Sequence, residues 1–103
     1  KLGTQLAEGL AEVASEAGVP LHVNRFGSMV TPFFTNRPVR NYRSATDANT
    51  MLYGVFFRSM LRRGVYPPPS QFESWFLSAA HSAHDIERTI DAARLAMRAV
   101  ARS

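Results

Sequence analysis

Three stretches of the sequence carry apolar residues at the spacing of an α-helix, and short strand-like segments lie between them. The apolar positions of the first stretch are Leu2, Leu6, Leu10, Val13 and Ala17. Glu8, Glu12 and Glu16 fall on the opposite face, which is the pattern of an amphipathic helix with one side against a core. Gly18 follows, and glycine is the residue most typical of a helix C-cap. The sequence therefore predicts a helix that ends at Gly18.

The second helical stretch is predicted to begin after Ser44 and to run to Arg63. Ser44 and Asp47 have the spacing of a capping box, which satisfies amide groups at a helix start. Gly64 follows the last predicted turn and closes the helix. The positions predicted to be buried are Ala48, Leu52, Val55, Phe56 and Ser59.

The third helical stretch is predicted to begin after Ser82, and Asp85 stands three residues further on, as in the second stretch. The positions predicted to face the core are Ile86, Ile90, Ala93, Met97 and Val100. Its acidic residues come early and its arginines late, which is the order that the helix dipole favours. We therefore expect an amphipathic helix whose charged side chains face water.

Three short strands are predicted between the helices. Residues 21–25 alternate in polarity, residues 29–35 resume the pattern after Gly27-Ser28, and residues 74–80 form the third strand. Pro32 lacks an amide hydrogen, so the second strand is expected to be an edge strand or bulged there. The predicted order is α-β-β-α-β-α, an α+β fold with the helices packed on one face of a three-stranded sheet. The 103 residues suffice for one small domain, residues 1–103.

Charge and composition exclude several classes of protein. The chain has no cysteine, which excludes disulfides and zinc–thiolate sites, and its apolar runs are too short to span a membrane. The net charge of +4 comes almost wholly from arginine, because Lys1 is the sole lysine. The arginines fall on predicted helix ends and in one loop, at Arg37, Arg40 and Arg43. They form no basic stripe interleaved with stacking aromatics, so we expect solvated surface charges and no nucleic-acid binding.

Most candidate chemical groups have ordinary structural interpretations. His81 and His84 have metal-ligand spacing beside Asp85, but no third ligand accompanies them, so no metal site is predicted. The serines have no evident base, and there is no glycine-rich phosphate loop. The stretch "PPPSQFESWFLS" is the exception, because it places Glu73 among aromatic residues. The residue pattern leaves two interpretations open: Glu73 is solvated on the back of a strand, or it is held in an apolar site.

Two segments resemble a known family. "VNRFGSMVTPFFT" and "MLRRGVYPPPSQFESWFLSAAHSAHDIERTIDAARLAM" are similar to the C-terminal domain of the glutamate-1-semialdehyde 2,1-aminomutases. These enzymes belong to the class III aminotransferases of pyridoxal-phosphate fold type I. The family usually has Leu-Ala-Pro before Ser-Gln, where this chain has Pro67-Pro68-Pro69, and often has Ala-Gly where this chain has Ser74-Trp75.

The resemblance implies a specific activity. Family members convert glutamate-1-semialdehyde to 5-aminolevulinate for tetrapyrrole synthesis, using pyridoxal 5'-phosphate bound by a large domain. The family's cofactor lysine lies upstream of the segments matched here, and Lys1 does not match its motif, so no cofactor-binding residue is expected in this chain. The family's glutamate in "SQFE" matches Glu73, which is the predicted catalytic residue in one wall of the active site. The resemblance also implies a cytoplasmic homodimer in which this domain packs on its own large domain.

Two other interpretations stay open. The chain can be the corresponding domain of a related class III aminotransferase that uses another amino donor, or a stand-alone basic interaction domain. In either enzyme interpretation we expect the 103 residues alone to be inactive, because the lysine that carries the cofactor is absent.

Overall fold

A computed structural model of the chain describes residues 2–26, 29–35, 49–68, 75–76 and 83–103. The elements, in chain order, are helix α1 (Leu2–Ala17), strands β1 (His22–Phe26) and β2 (Met29–Phe33), helix α2 (Thr50–Arg62), strand β3 (Trp75–Phe76) and helix α3 (Ala83–Ala101). The prediction of an α+β fold is confirmed.

Helix α1 has the amphipathic arrangement that its sequence predicts. Its buried apolar side chains are those of Leu6, Leu10, Val13 and Ala14. Glu8, Glu12 and Glu16 are exposed on the opposite face. Gly18 has a φ of 73°, in the left-handed region that glycine adopts without strain, and the amide of Val19 donates to the Ala14 carbonyl at 2.9 Å. The predicted helix end at Gly18 is therefore confirmed.

The strands form an antiparallel sheet in the order β1-β2-β3. Strands β1 and β2 pair in the register that places Phe26 opposite Met29 and Val23 opposite Pro32. Strand β3 pairs with Met29 and Val30, the first two residues of β2. Within the described residues, Pro32 thus has a strand partner on one side, a position that a residue without an amide hydrogen tolerates.

Helix α2 begins later than predicted. Asn49 is its N-cap, with extended backbone angles and a side-chain Oδ1 that accepts from the Leu52 amide at 3.1 Å. The predicted start at Ser44 was wrong for this helix, because Asn49 supplies the cap and is itself not helical. Ser44, Asp47 and Ala48 lie outside the described residues. At the other end Gly64, with a φ of 80°, follows the last turn as predicted.

The buried face of α2 is centred on aromatic residues. Its buried residues are Tyr53, Phe56, Ser59 and Met60. Burial of Phe56 and Ser59 was predicted, whereas Leu52 and Val55 are only half-buried. The difference follows from the packing of Phe34, whose ring lies 6.2 Å from that of Tyr53 and 5.6 Å from that of Phe56. These contacts turn Tyr53 inward.

Helix α3 joins the other two helices, since it packs against both α1 and α2, while α1 also contacts strands β1 and β2. At the crossing of α1 and α3, Ile90 lies directly over Gly9, and a β-carbon added to Gly9 would lie 2.2 Å from Ile90 Cδ1. Ile86, Ala93, Met97 and Val100 are buried as predicted. Among the described residues, no helix combines the length and the hydropathy that crossing a membrane requires.

Candidate functional site

The predicted catalytic residue, Glu73, lies outside the described residues, as does the rest of the segment from position 69 to position 74. The prediction for Glu73 therefore stays a prediction. The structure does describe what lies on either side of this segment: residues 65–68, which follow helix α2, and the strand Trp75–Phe76.

Residues 65–68 leave the end of helix α2 along a defined path. Gly64 turns the chain, and the amide of Val65 donates to the carbonyl of Met60 at 3.0 Å. Tyr66 is 87% exposed, whereas Pro67 is buried and Pro68 is half-buried. The side chains thus change from exposed at Tyr66 to buried or half-buried at the two prolines that precede position 69.

One side chain holds Pro68. The phenolic hydroxyl of Tyr53 donates a hydrogen bond to the Pro68 carbonyl, fifteen positions further along the chain. Tyr53 is only 3% exposed and sits in the second turn of α2. The Tyr53 side chain therefore links helix α2 to Pro68, the last described residue before position 69.

The ring of Tyr53 is itself fixed by other rings. Its centroid lies 6.2 Å from that of Phe34, 5.9 Å from that of Phe56 and 6.5 Å from that of Phe57. Contacts of this kind stabilise a defined ring orientation. Tyr53 and Phe56 both lie in the hydrophobic core.

The hydrogen bond from Tyr53 to Pro68 was not predicted from the sequence. Helical spacing placed Leu52 and Val55 on the buried stripe and indicated no partner for the hydroxyl of Tyr53. A tyrosine inside a core needs a partner for its hydroxyl, and a proline run supplies carbonyl groups without competing amides. A buried tyrosine together with a proline run is the signal that the sequence offers. This signal does not indicate which tyrosine binds which carbonyl group.

The histidines show no metal-binding arrangement in the described part of the chain. No group of three or more potential ligand side chains could hold a metal ion among the described residues. His84 is exposed at the first turn of α3, and His81 lies outside the described residues. His22 is half-buried on β1.

Two arginines form ion pairs or hydrogen bonds with other residues of the chain. Arg94 contacts Asp91 at 3.0 Å and Glu16 of helix α1 at 3.4 Å. Arg63 donates to the carbonyl and the hydroxyl of Ser59 at 3.1 and 3.0 Å. These arginines therefore have structural contacts of their own, while Arg37, Arg40 and Arg43 lie outside the described residues.

Two curated proteins that are similar to this chain have the same name. The glutamate-1-semialdehyde 2,1-aminomutase of Anaeromyxobacter dehalogenans is 56% identical over 95 residues, which are 92% of this chain and 22% of that protein. The protein of the same name from Thermomicrobium roseum is 48% identical over 101 residues, 98% of this chain and 24% of that protein. The resemblance is confirmed, and the chain spans less than a quarter of the length of these relatives.

A solved structure agrees with the fold. An omega-transaminase from Sphaerobacter thermophilus superposes with a TM-score of 0.78 and 28% identity, covering 99% of this chain and 23% of that one. No protein-family model matches the chain. Sequence and structure comparisons thus both relate these 103 residues to part of a larger aminotransferase-like protein.

Proposed function

We propose that this chain is the C-terminal small domain of a glutamate-1-semialdehyde 2,1-aminomutase, an isomerase that forms 5-aminolevulinate for tetrapyrrole synthesis. The observation that carries the proposal is the 48–56% identity to proteins of that name over more than nine-tenths of the chain. Identity at this level is more specific than the fold, which aminotransferases with different substrates share.

The remainder of the enzyme would hold the cofactor. Pyridoxal 5'-phosphate supplies the electron sink for moving an amino group, and it is held covalently by a lysine when bound. Lys1 is the sole lysine of the chain, and it does not match the motif of the family's cofactor lysine. We therefore propose that the larger domain supplies this lysine. The role left to this domain is to shape and close the active site that the larger domain contains.

Glu73 is the residue proposed to act in that wall. It matches the glutamate of the family's "SQFE" segment, and it lies five positions after Pro68. A carboxylate at the edge of the site could orient the substrate's amino group by accepting its hydrogen bonds. It could also pair with a substrate-binding cation of the larger domain until the substrate's own carboxylate displaces it. Both roles make Glu73 matter to turnover more than to folding.

The finer architecture belongs to the same proposal. We infer that the domain has a three-stranded sheet with its helices on one face. We also infer that Trp75 and Phe76 are the central residues of the third strand, and their antiparallel pairing with Val30 and Met29 supports this inference. A sheet covered on one face leaves its other face for the larger domain, and we further propose a cytoplasmic homodimer.

A related aminotransferase is the second candidate. The structural likeness to an omega-transaminase favours it, because that protein is named for amino transfer between separate molecules. The two candidates differ in whether an external amino donor is needed. An aminomutase returns the amino group to the carbon skeleton from which it came, whereas a transaminase needs a second substrate.

The test is an assay of the complete enzyme that contains these residues. The purified protein is incubated with glutamate-1-semialdehyde alone, and 5-aminolevulinate is measured over many turnovers. We expect continued product formation without any amino donor, and none from protein denatured beforehand. Product formation that depends on an added amine would support the transaminase and contradict the aminomutase.

A further inference from the structure

The connection that follows helix α2, residues 65–68, has few backbone groups that can bind the rest of the fold. The amide of Val65 donates to the carbonyl of Met60 at 3.0 Å. Pro67 and Pro68 have no amide hydrogen, so neither can donate to a neighbouring element. Hydrogen bonds can therefore hold these two prolines only through their carbonyl oxygens, which need a donor from elsewhere.

Tyr53 supplies a donor for one of these oxygens. Its hydroxyl donates to the carbonyl of Pro68, and its side chain is only 3% exposed. Its ring packs against those of Phe34, Phe56 and Phe57, which fixes the direction of the hydroxyl. A buried hydroxyl without a partner is costly, so this bond favours the attached position of the connection.

Gly64 stands where a hinge for the connection is needed. It has a φ of 80°, and a β-carbon built on it would meet nothing within 4 Å. Glycine adopts both signs of φ, so rotation at this position brings no side chain into a clash. Hinges of moving segments are positions at the ends of regular elements that absorb such changes.

We propose that residues 65–68 form a strap that opens about Gly64 while the helices stay folded, and that the hydroxyl of Tyr53 is the latch that keeps it closed. In the closed strap Pro67 is buried and Val65 packs against the core. Opening uncovers the part of the core beneath these two residues. Segments with few buried contacts open at a lower free energy than the whole fold. This device is independent of the reaction that the complete enzyme catalyses.

Hydrogen exchange in the complete enzyme measures the opening of the strap. The Val65 amide reports on the strap, because its bond to Met60 must break before it exchanges. The amide of Ala96, a fully buried residue of helix α3, reports on the core. We expect Val65 to exchange at least about tenfold faster than Ala96, since a local opening precedes global unfolding. Its rate should also be insensitive to low urea concentrations, because a local opening exposes little surface.

The substitution Tyr53→Phe removes the latch and keeps the ring. The exchange rate of Val65 should rise about fivefold, the factor that one net hydrogen bond contributes. The rate of Ala96 should rise as well, because the same bond is lost on global unfolding. An unchanged Val65 rate would overturn the proposal, since the hydroxyl would then hold nothing closed.

Gly9→Ala is the crossed control for global stability. It crowds Ile90 at the contact of α1 with α3, away from the strap. Exchange at Ala96 should rise about fivefold, because forced volume in a packed contact destabilises the fold. Exchange at Val65 should stay at the wild-type rate. An equal rise at both amides would show that Val65 exchanges only by global unfolding, and the strap would not exist.

Tyr66→Phe is the matched control for the hydroxyl. Tyr66 lies in the strap and is 87% exposed, so the substitution makes the same chemical change where no latch is proposed. The Val65 rate should remain that of the wild type. A rise equal to that in Tyr53→Phe would overturn the assignment of the latch to Tyr53.

Discussion

The crossing of α1 and α3 predicts that the same substitution has opposite effects at two helical glycines. In α1, a β-carbon at Gly9 would lie 2.2 Å from Ile90 Cδ1, 2.7 Å from Cγ1 and 3.3 Å from Cγ2. Rotating one terminal methyl group cannot relieve three contacts on a β-branched side chain. In α2, a β-carbon at Gly54 would meet only the guanidinium of Arg58, an exposed and flexible group, at 3.2 Å.

The magnitudes follow from two opposing contributions. Alanine is favoured over glycine inside a helix by about 1 kcal/mol, and this gain applies at both positions. Forcing extra volume into a packed contact costs about 1–3 kcal/mol, and this cost applies only at Gly9. We therefore expect Gly9→Ala to lower the free energy of unfolding by about 1 kcal/mol. Gly54→Ala should raise it by roughly 0.5–1 kcal/mol.

Urea unfolding of the 103-residue chain, followed by circular dichroism, measures both changes. The substitution Ile90→Ala provides the control, because Gly9→Ala should stop being destabilising once the opposing side chain is removed. Equal stabilisation of the chain by Gly9→Ala and Gly54→Ala would contradict this prediction. A close approach of α1 and α3 would then be absent.

Three further predictions concern the cap, the cofactor and the arginines. Asn49→Ala should lower the free energy of unfolding by about 1 kcal/mol, because the Leu52 amide loses its acceptor; Asn49→Asp, which keeps an acceptor, should cost much less in the same urea titration. The chain alone should bind no stoichiometric pyridoxal phosphate, since Lys1 stands at a chain end; a saturable absorption change at about micromolar cofactor would contradict this. Oligonucleotide titrations at physiological salt should show no sub-micromolar affinity, and tight binding with a steep salt dependence would instead favour a nucleic-acid-binding domain.

The regular elements follow from local patterns. The end of helix α1 at Gly18 was predicted correctly, because the apolar spacing and the capping glycine are both local signals. The buried positions Ile86, Ala93, Met97 and Val100 of helix α3 were predicted by the same spacing. Signals of this kind depend only on neighbours in the chain, so they can be interpreted without knowing the fold.

The features that were missed depend on distant contacts. Ser44 and Asp47 have a cap spacing in the sequence, and only the structure shows that Asn49 caps helix α2. The partners of Tyr53 are distant in the sequence: Phe34 lies nineteen positions earlier and Pro68 fifteen positions later. Periodicity carries no information about such partners. For Glu73, residue chemistry left two interpretations open, and the choice between them came from resemblance to the aminomutases.

The central claim is that these residues form an active-site wall in which Glu73 serves turnover. Measuring kcat/KM and the melting temperature of the complete enzyme carrying Glu73→Gln tests it most directly. The substitution keeps the size and most hydrogen-bonding capacity of the side chain and removes its charge. We expect a kcat/KM lower by about tenfold or more, or about 1.4 kcal/mol of transition-state stabilisation, with the melting temperature nearly unchanged. Wild-type kcat/KM in this variant would show that Glu73 is merely solvated and has no role in turnover.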